Sequence, residues 1–146
     1  MAKEIAVPRR VAAYLDVENL LHDPTLDPGP ELEAIVGSIR AEGDLVARVA
    51  VGAKDLMARL VPALAASGIR GFVHAGGRDA ADAELIRRIT DQLPARADTV
   101  VIGSGDHCFA PVARRLRDAG RRVVVLARQG CLSHELYVAA DTVVLR

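Results

Sequence analysis

Aromatic residues are scarce in this sequence: among 146 residues there are two Tyr, two Phe and no Trp. Stacking of bases on aromatic side chains therefore cannot be a main source of affinity for a nucleic acid. Hydrophobic residues still make up 51% of the chain, so the core must be built from Val, Leu, Ile and Ala. This length suits one hydrophobic core, and we expect a single domain over residues 1–146.

Cysteine is scarce as well, and neither sign of charge is in excess. The two cysteines, Cys108 and Cys131, do not make a disulfide framework and are typical of free thiols in a cytosolic protein. Basic and acidic residues number 19 each, which argues against a uniformly basic surface for nucleic acid. A local basic patch remains compatible with this balance.

Long apolar runs are absent. None approaches the ~20 residues that a membrane span requires. Near the amino terminus, Glu4 and Pro8 come before any apolar segment typical of a signal peptide. We therefore expect a soluble, cytoplasmic protein.

What the sequence does contain is a regular alternation of β-branched runs and amphipathic segments. Strands are predicted at 10–16, 44–52, 69–77, 97–106, 121–127 and, as a strand or extended tail, 141–146. Helices are predicted at 31–43, 53–68, 78–93, 109–120 and 133–140. This order predicts an α/β fold: a three-layer α/β/α sandwich with a mostly parallel, Rossmann-like central sheet. The proline-rich loop at 22–30 would be a lid or an interface.

Three aspartates stand where such a sheet binds ligands. Asp16 ends the first strand, Asp82 opens the third helix and Asp106 follows the fourth strand. Ligands of parallel sheets lie beyond the carboxyl ends of the strands, so we expect these carboxylates to converge. Converging carboxylates share protons or hold a divalent cation, and an all-oxygen set suits Mg²⁺ or Mn²⁺. The alternatives are that Asp82 only complements the helix dipole and that Asp106 is only an N-cap.

Four motifs in order resemble those of the NYN domain family, a branch of the PIN-like metal-dependent ribonucleases. They are "YLDVENLL", "RDAADAEL", "GSGDHCF" and "LSHELYVAADTVVL", and the resemblance runs from about Val11 to Leu145. The matching positions are Asp16 and Asn19, then Ala80, Ala81 and Asp82, then Ser104, Gly105 and Asp106, and last Ser133, Leu136, Ala140 and Asp141.

The resemblance implies a PIN-like fold and a Mg²⁺- or Mn²⁺-dependent nuclease that hydrolyses RNA phosphodiester bonds. Asp16, Asp82 and Asp106 would hold the metal. Asn19 and Ser104 would orient a carboxylate, water or phosphate oxygen, with Glu18 as a further helper.

The chain departs from the family at one point. Relatives commonly have "SGDSDF", with a second acid two residues after the first, where this chain has His107 and Cys108. Two hypotheses therefore stay open: an active nuclease using three carboxylates, or a catalytically weakened RNA-binding or regulatory module. A Zn²⁺ site at His107 and Cys108 is the less favoured alternative, because the remaining His and Cys residues show no ligand spacing. We interpret Cys108 instead as a small buried hydrophobe beneath Phe109.

Basic side chains near the predicted site are candidates for contact with an RNA backbone: Lys54, Arg78, Arg87, Arg88 and Arg114. The alternative for each is a solvated helix face. Binding of this kind would be mainly electrostatic and would weaken steeply with salt. The oligomeric state stays open, although a domain this small would gain RNA-binding surface by forming a homodimer.

Overall fold

Six strands alternate with six α-helices in the part of the chain that the structure, a computed structural model, describes: residues 3, 5, 7–23 and 26–146. The strands are β1 (Arg10–Asp16), β2 (Asp44–Gly52), β3 (Arg70–Val73), β4 (Thr99–Gly103), β5 (Arg122–Ala127) and β6 (Thr142–Leu145). The helices are α1 (Val17–Leu20), α2 (Gly29–Arg40), α3 (Lys54–Ala66), α4 (Ala80–Gln92), α5 (Ala110–Asp118) and α6 (His134–Ala139). A 3₁₀ turn, His107–Phe109, leads into α5.

All six strands are parallel and form one sheet in the order β3-β2-β1-β4-β5-β6. The predicted α/β fold is thereby confirmed, and the carboxyl-terminal segment is a true strand paired with β5. The order reverses between β1 and β4, where Leu15 pairs with Gly103. Asp16 and Ser104 therefore leave the sheet side by side at this reversal.

Each face of the sheet carries its own hydrophobic core because side chains alternate along every strand. Val11, Ala13 and Leu15 of β1 pack with helices α1, α2 and α3 on one face. Ala12 and Tyr14 of the same strand pack with α4, α5 and α6 on the other. The result is the three-layer arrangement, with the helices in two groups of three.

The ends of some elements differ from the sequence prediction. The one-turn helix α1 was not predicted, because four residues carry too little periodicity to show one. Strand β3 ends at Val73 instead of continuing through residue 77, since Gly76 and Gly77 take φ values of 92° and 96° that no strand allows. Among the described helices, none is long and apolar enough to cross a membrane.

The loop that follows β4 is held against the segment before α6. A Cβ added at Gly105 would lie 1.9 Å from the carbonyl oxygen of Cys131. The backbone N–H of Ser133 donates to the carbonyl oxygen of Gly105 at 2.8 Å. Only glycine allows this approach of two backbones, and the approach fixes the position of the next residue, Asp106.

Replacing Gly105 by alanine should destabilise the protein by about 1–3 kcal/mol, since the added methyl group must push two backbone segments apart. The matched control is Gly37→Ala in the exposed middle of α2, where an added Cβ meets nothing within 4 Å. That control should be stabilised by roughly 0.5–1 kcal/mol through its helix propensity. Urea denaturation of the two variants measures both values, and a Gly105→Ala variant as stable as the wild type would contradict the described loop packing.

Candidate metal centre

Asp16 is the last residue of β1 and caps the short helix α1. Its Oδ1 accepts a hydrogen bond from the backbone N–H of Asn19 at 3.2 Å, and the residue is 6% exposed. Burial raises the pKa of the Asp16 carboxyl, and the Asn19 N–H partly offsets that rise. Asp16 therefore begins α1 and also presents a buried carboxyl group at the strand-order reversal.

Asn19 and Ser104 both brace the loop after β4. The Asn19 side-chain oxygen accepts from the backbone N–H of Gly105 at 3.1 Å, which joins α1 to this loop. Ser104 is fully buried, and its Oγ accepts from the backbone N–H of Asp106 at 3.2 Å. These contacts orient the backbone that carries Asp106. A direct contact of either side chain with water or phosphate stays a prediction.

Asp106 caps the 3₁₀ turn, as the N-cap alternative expected, and it also faces the other carboxylates. Its Oδ1 accepts from the Cys108 N–H at 2.8 Å, and His107 Nδ1 lies 3.3 Å from the same oxygen. Burial raises the pKa of Asp106, but hydrogen bonds from the N–H and thiol of Cys108 outweigh it and leave the pKa lowered. Asp106 is therefore the carboxyl of this group that stays ionised most readily.

Asp82 lies in the first turn of α4 between Asp16 and Asp106, and it is 5% exposed. In the described part of the chain, no backbone or side-chain N–H donates to its carboxyl group; its hydrogen-bonding neighbours are the two other carboxyls. Burial first, and then repulsion by Asp106 and Asp16, raise the pKa of Asp82 to about 7. A buried carboxyl in such surroundings needs either a proton or a cation.

Two further residues complete the group. The group consists of Asp79, Asp82, Asp106 and Cys108, whose ligand atoms all lie within 4.8 Å of one another. The Asp16 carboxyl is linked to this group by a side-chain hydrogen bond with Asp82. Asp79 was not among the predicted ligands. Its spacing of one helical turn before Asp82 was the available indication. It precedes α4 in the left-handed region at φ 59°, which is uncommon for a residue with a side chain.

The interpretation of Cys108 as a buried hydrophobe was wrong. The 3₁₀ turn points Phe109 into the core, where it is fully buried, while Cys108 is half-buried beside the aspartates. The hydrogen bond of its thiol to Asp106, followed by burial and the neighbouring negative charges, raises the pKa of Cys108 to about 11. Metal-free Cys108 is therefore a neutral thiol.

A histidine that the sequence did not single out lies at the same edge of the sheet. His74 Nε2 is 2.7 Å from Glu18 Oε1, and the Gly76 N–H donates to His74 Nδ1 at 3.0 Å. Since Nδ1 is an acceptor, Nε2 carries the proton and donates to Glu18. The Glu18 carboxylate is thus engaged in joining α1 to the loop that leads to Asp79.

The five basic residues that were predicted to contact an RNA backbone do not lie together in the structure. Lys54, at the start of α3, and Arg78, before α4, are exposed at the edge that holds the carboxylates. Arg87 pairs with Glu84 at 2.9 Å, and Arg88 pairs with Glu84 while its guanidinium lies 3.4 Å from the Phe72 ring centre.

Arg114 is also separated from the carboxylates. It lines a groove of about 940 Å³ whose other walls include Arg121, just before β5, and Thr142 at the start of β6. These residues belong to the amino ends of the strands, so the groove opens at the other edge of the sheet.

A parallel sheet with carboxylates gathered where strand order reverses belongs to the α/β proteins that bind ligands at that edge. The sequence model of the NYN domain matches residues 10–145, and the chain therefore belongs to the NYN domain family, whose members are generally nucleases. The predicted family membership is thus confirmed.

One solved structure shares the fold over almost the full length of both chains. It is that of VPA0982, a protein of unknown function from Vibrio parahaemolyticus RIMD 2210633, with a TM-score of 0.77. The two sequences are 17% identical over 98% of this chain and 96% of the other. No curated protein matches the chain.

Without metal, the protein should lose stability as the pH rises. The Asp82 carboxyl titrates near pH 7 in the folded state and near its ordinary 3.8 when unfolded. The raised pKa of Asp82 therefore stabilises the folded protein fully below pH 3.8, the unfolded-state pKa. This stabilisation is lost as the pH rises through about 7, the folded-state pKa, by on the order of 1 kcal/mol per unit of pKa difference.

The pH prediction is measured by thermal unfolding in a chelator at about pH 5.5 and about pH 8. Asp82→Asn should flatten the pH dependence and melt a few degrees above the wild type at the higher pH. Asp91→Asn, an exposed change on the same helix, is the control and should behave as the wild type. An equal loss of stability in the wild type and Asp82→Asn would contradict the raised pKa.

Proposed function

We propose that this protein is a metal-dependent ribonuclease that hydrolyses RNA phosphodiester bonds at the carboxyl edge of its sheet. The observation that carries the proposal is the buried Asp82 carboxyl, which has carboxyl neighbours and no N–H donor in the described chain. Cationic charge at this point would remove the mutual repulsion of Asp16, Asp82 and Asp106.

The donor atoms fit the proposed cations. Carboxylate oxygens are the ligands that Mg²⁺ and Mn²⁺ prefer, and one or two carboxylates with waters suffice for Mg²⁺. Asp82 and Asp106 would hold the ion, with Asp79 beside them and Asp16 reaching it from the strand end. When bound, such an ion lowers the pKa of a coordinated water and stabilises charge that develops on phosphoryl oxygens.

The chain's own residues would prepare this chemistry. Asn19 and Ser104 hold the loop that aims Asp106, so the carboxylates keep their separation before substrate arrives. Lys54 and Arg78 would meet RNA phosphates on either side of the scissile bond, while Arg87, Arg88 and Arg114 would contact more distant parts of a longer strand. A homodimer would lengthen this basic surface. The cytoplasm, where both thiols stay reduced, is the proposed location.

The first test is RNA cleavage. With Mn²⁺ or Mg²⁺, the wild type should cleave labelled single-stranded and hairpin RNAs, and a chelator should abolish cleavage. Asp82→Asn should lower the rate by at least about 100-fold, since changing even the residues that support a metal ligand costs about 10–100-fold. Asp91→Asn should cleave as the wild type does. Cleavage that survives either the chelator or Asp82→Asn would contradict the proposal.

A second function, an RNA-binding or regulatory module with little hydrolysis, is favoured by one observation. Cys108 places a neutral thiol among the carboxylates, at the position where relatives commonly have an acid. The site therefore lacks one negative charge that would draw a divalent cation into it.

The variant Cys108→Asp distinguishes the two functions. If the protein is an active nuclease, the wild type cleaves measurably and the variant gains less than about tenfold, or 1.4 kcal/mol. A much larger gain from an inactive wild type that still binds RNA would support the binding module instead. Cys108→Ser, which restores no charge, is the control and should show no gain.

A further inference from the structure

Two overlapping sets of donor atoms share Asp106 and Cys108. One set adds His107 to them, and the other adds Asp79 and Asp82. Within each set, the ligand atoms lie within 4.8 Å of one another. A sulfur, an imidazole nitrogen and three carboxylates are therefore gathered around one short turn of the chain.

Mg²⁺ would not be coordinated by the thiol. Hard cations select oxygen ligands, whereas Zn²⁺ accepts thiolate, imidazole and carboxylate together. Besides the sulfur, the buried Asp82 carboxyl points to a cation here, since no N–H group in the described chain donates to it. The same oxygens with a sulfur beside them form a different site from an all-aspartate one.

We propose that Cys108, Asp106 and Asp82 form a mixed thiolate–carboxylate site for Zn²⁺ or a similar thiophilic divalent ion, with His107 or Asp79 as fourth ligand. On binding, the S–H bond breaks, the sulfur bonds to the metal and the proton passes to solvent. Because Asp82 and Asp106 are shared, Zn²⁺ excludes Mg²⁺ from the site. This regulatory consequence rests on the proposed nuclease function; the site itself does not.

Only small movements of side chains are needed to bring these donor atoms to the separations of a tetrahedral zinc site. In a tetrahedral zinc site, a sulfur at about 2.3 Å and an oxygen at about 2.0 Å from the metal lie about 3.5 Å apart. The donor atoms here are within 4.8 Å, so rotations of side chains can bring them together. The His107 side chain is 72% exposed and its Nδ1 already lies 3.3 Å from Asp106 Oδ1, while Asp106 is held by the Cys108 N–H.

The test uses metal-free protein kept reduced with a phosphine, without RNA. Titration with Cd²⁺ and Co²⁺ should produce ultraviolet sulfur-to-metal charge-transfer absorption that saturates at one equivalent. Cys108→Ser should abolish this absorption and weaken Zn²⁺ binding at least about tenfold in calorimetry, or 1.4 kcal/mol. Cys131→Ser removes the other half-buried thiol and should leave both unchanged. Cys108→Asp should lose the absorption and bind Mg²⁺ or Mn²⁺ more tightly.

Two results would overturn the inference: no charge-transfer absorption in the wild type, or absorption that persists in Cys108→Ser. RNA cleavage measured separately with Mg²⁺ keeps the two proposals apart. Cleavage without thiolate absorption would leave the nuclease standing and remove the zinc site. Absorption without cleavage would support the zinc site and remove the nuclease. If both stand, Zn²⁺ should inhibit cleavage competitively with Mg²⁺ in the wild type and weakly in Cys108→Asp.

Discussion

The backbone of Gly105 is the junction on which the candidate site depends. Its N–H donates to the Asn19 side chain and its carbonyl accepts from Ser133, while the Cys131 carbonyl occupies the space a side chain would need. Three segments distant in sequence thereby meet at one residue, beyond the strands where order reverses. Asp106 follows directly, so its direction is set by this junction. The hydrogen bond of its own backbone N–H to Ser104 completes that control.

Around this junction, the fold brings the carboxyl groups of Asp16, Asp82 and Asp106 close together. Asp16 receives an N–H at the start of α1, and Asp106 receives one at the start of the 3₁₀ turn. Asp82, which lies between them, receives none in the described chain. The three carboxyl groups are therefore supported unevenly: those of Asp16 and Asp106 accept hydrogen bonds from backbone N–H groups, whereas the pKa of Asp82 is raised to about 7. A buried carboxyl group without an N–H donor costs stability. Its presence at this position therefore indicates a functional role and not a role in packing.

The sequence was sufficient to predict the fold because the strands, and all the helices except the one-turn α1, were long enough to show their period. The boundaries of β1 and β2 agree with the prediction residue for residue, and the family follows from motifs at the strand ends. The sequence could not show which way a side chain points in a segment shorter than one helical or strand repeat. Cys108 was assigned to the core because a single 3₁₀ turn leaves no repeat to show its face. The pairing of His74 with Glu18 was missed for a related reason, since a long-range contact between a loop and the short helix α1 leaves no mark in local spacing.

The same three-residue turn decides what the site can bind. With Phe109 buried in the core, the residue before it, Cys108, lies beside Asp82 and Asp106. An acid at position 108 would add a charge and an oxygen, which favours hard cations. The cysteine present here adds a soft donor, with no charge until a metal displaces its proton. At the proposed metal site, metal preference is therefore separable from architecture, because the backbone fixes the position of residue 108 and its side chain fixes the chemistry offered to the metal.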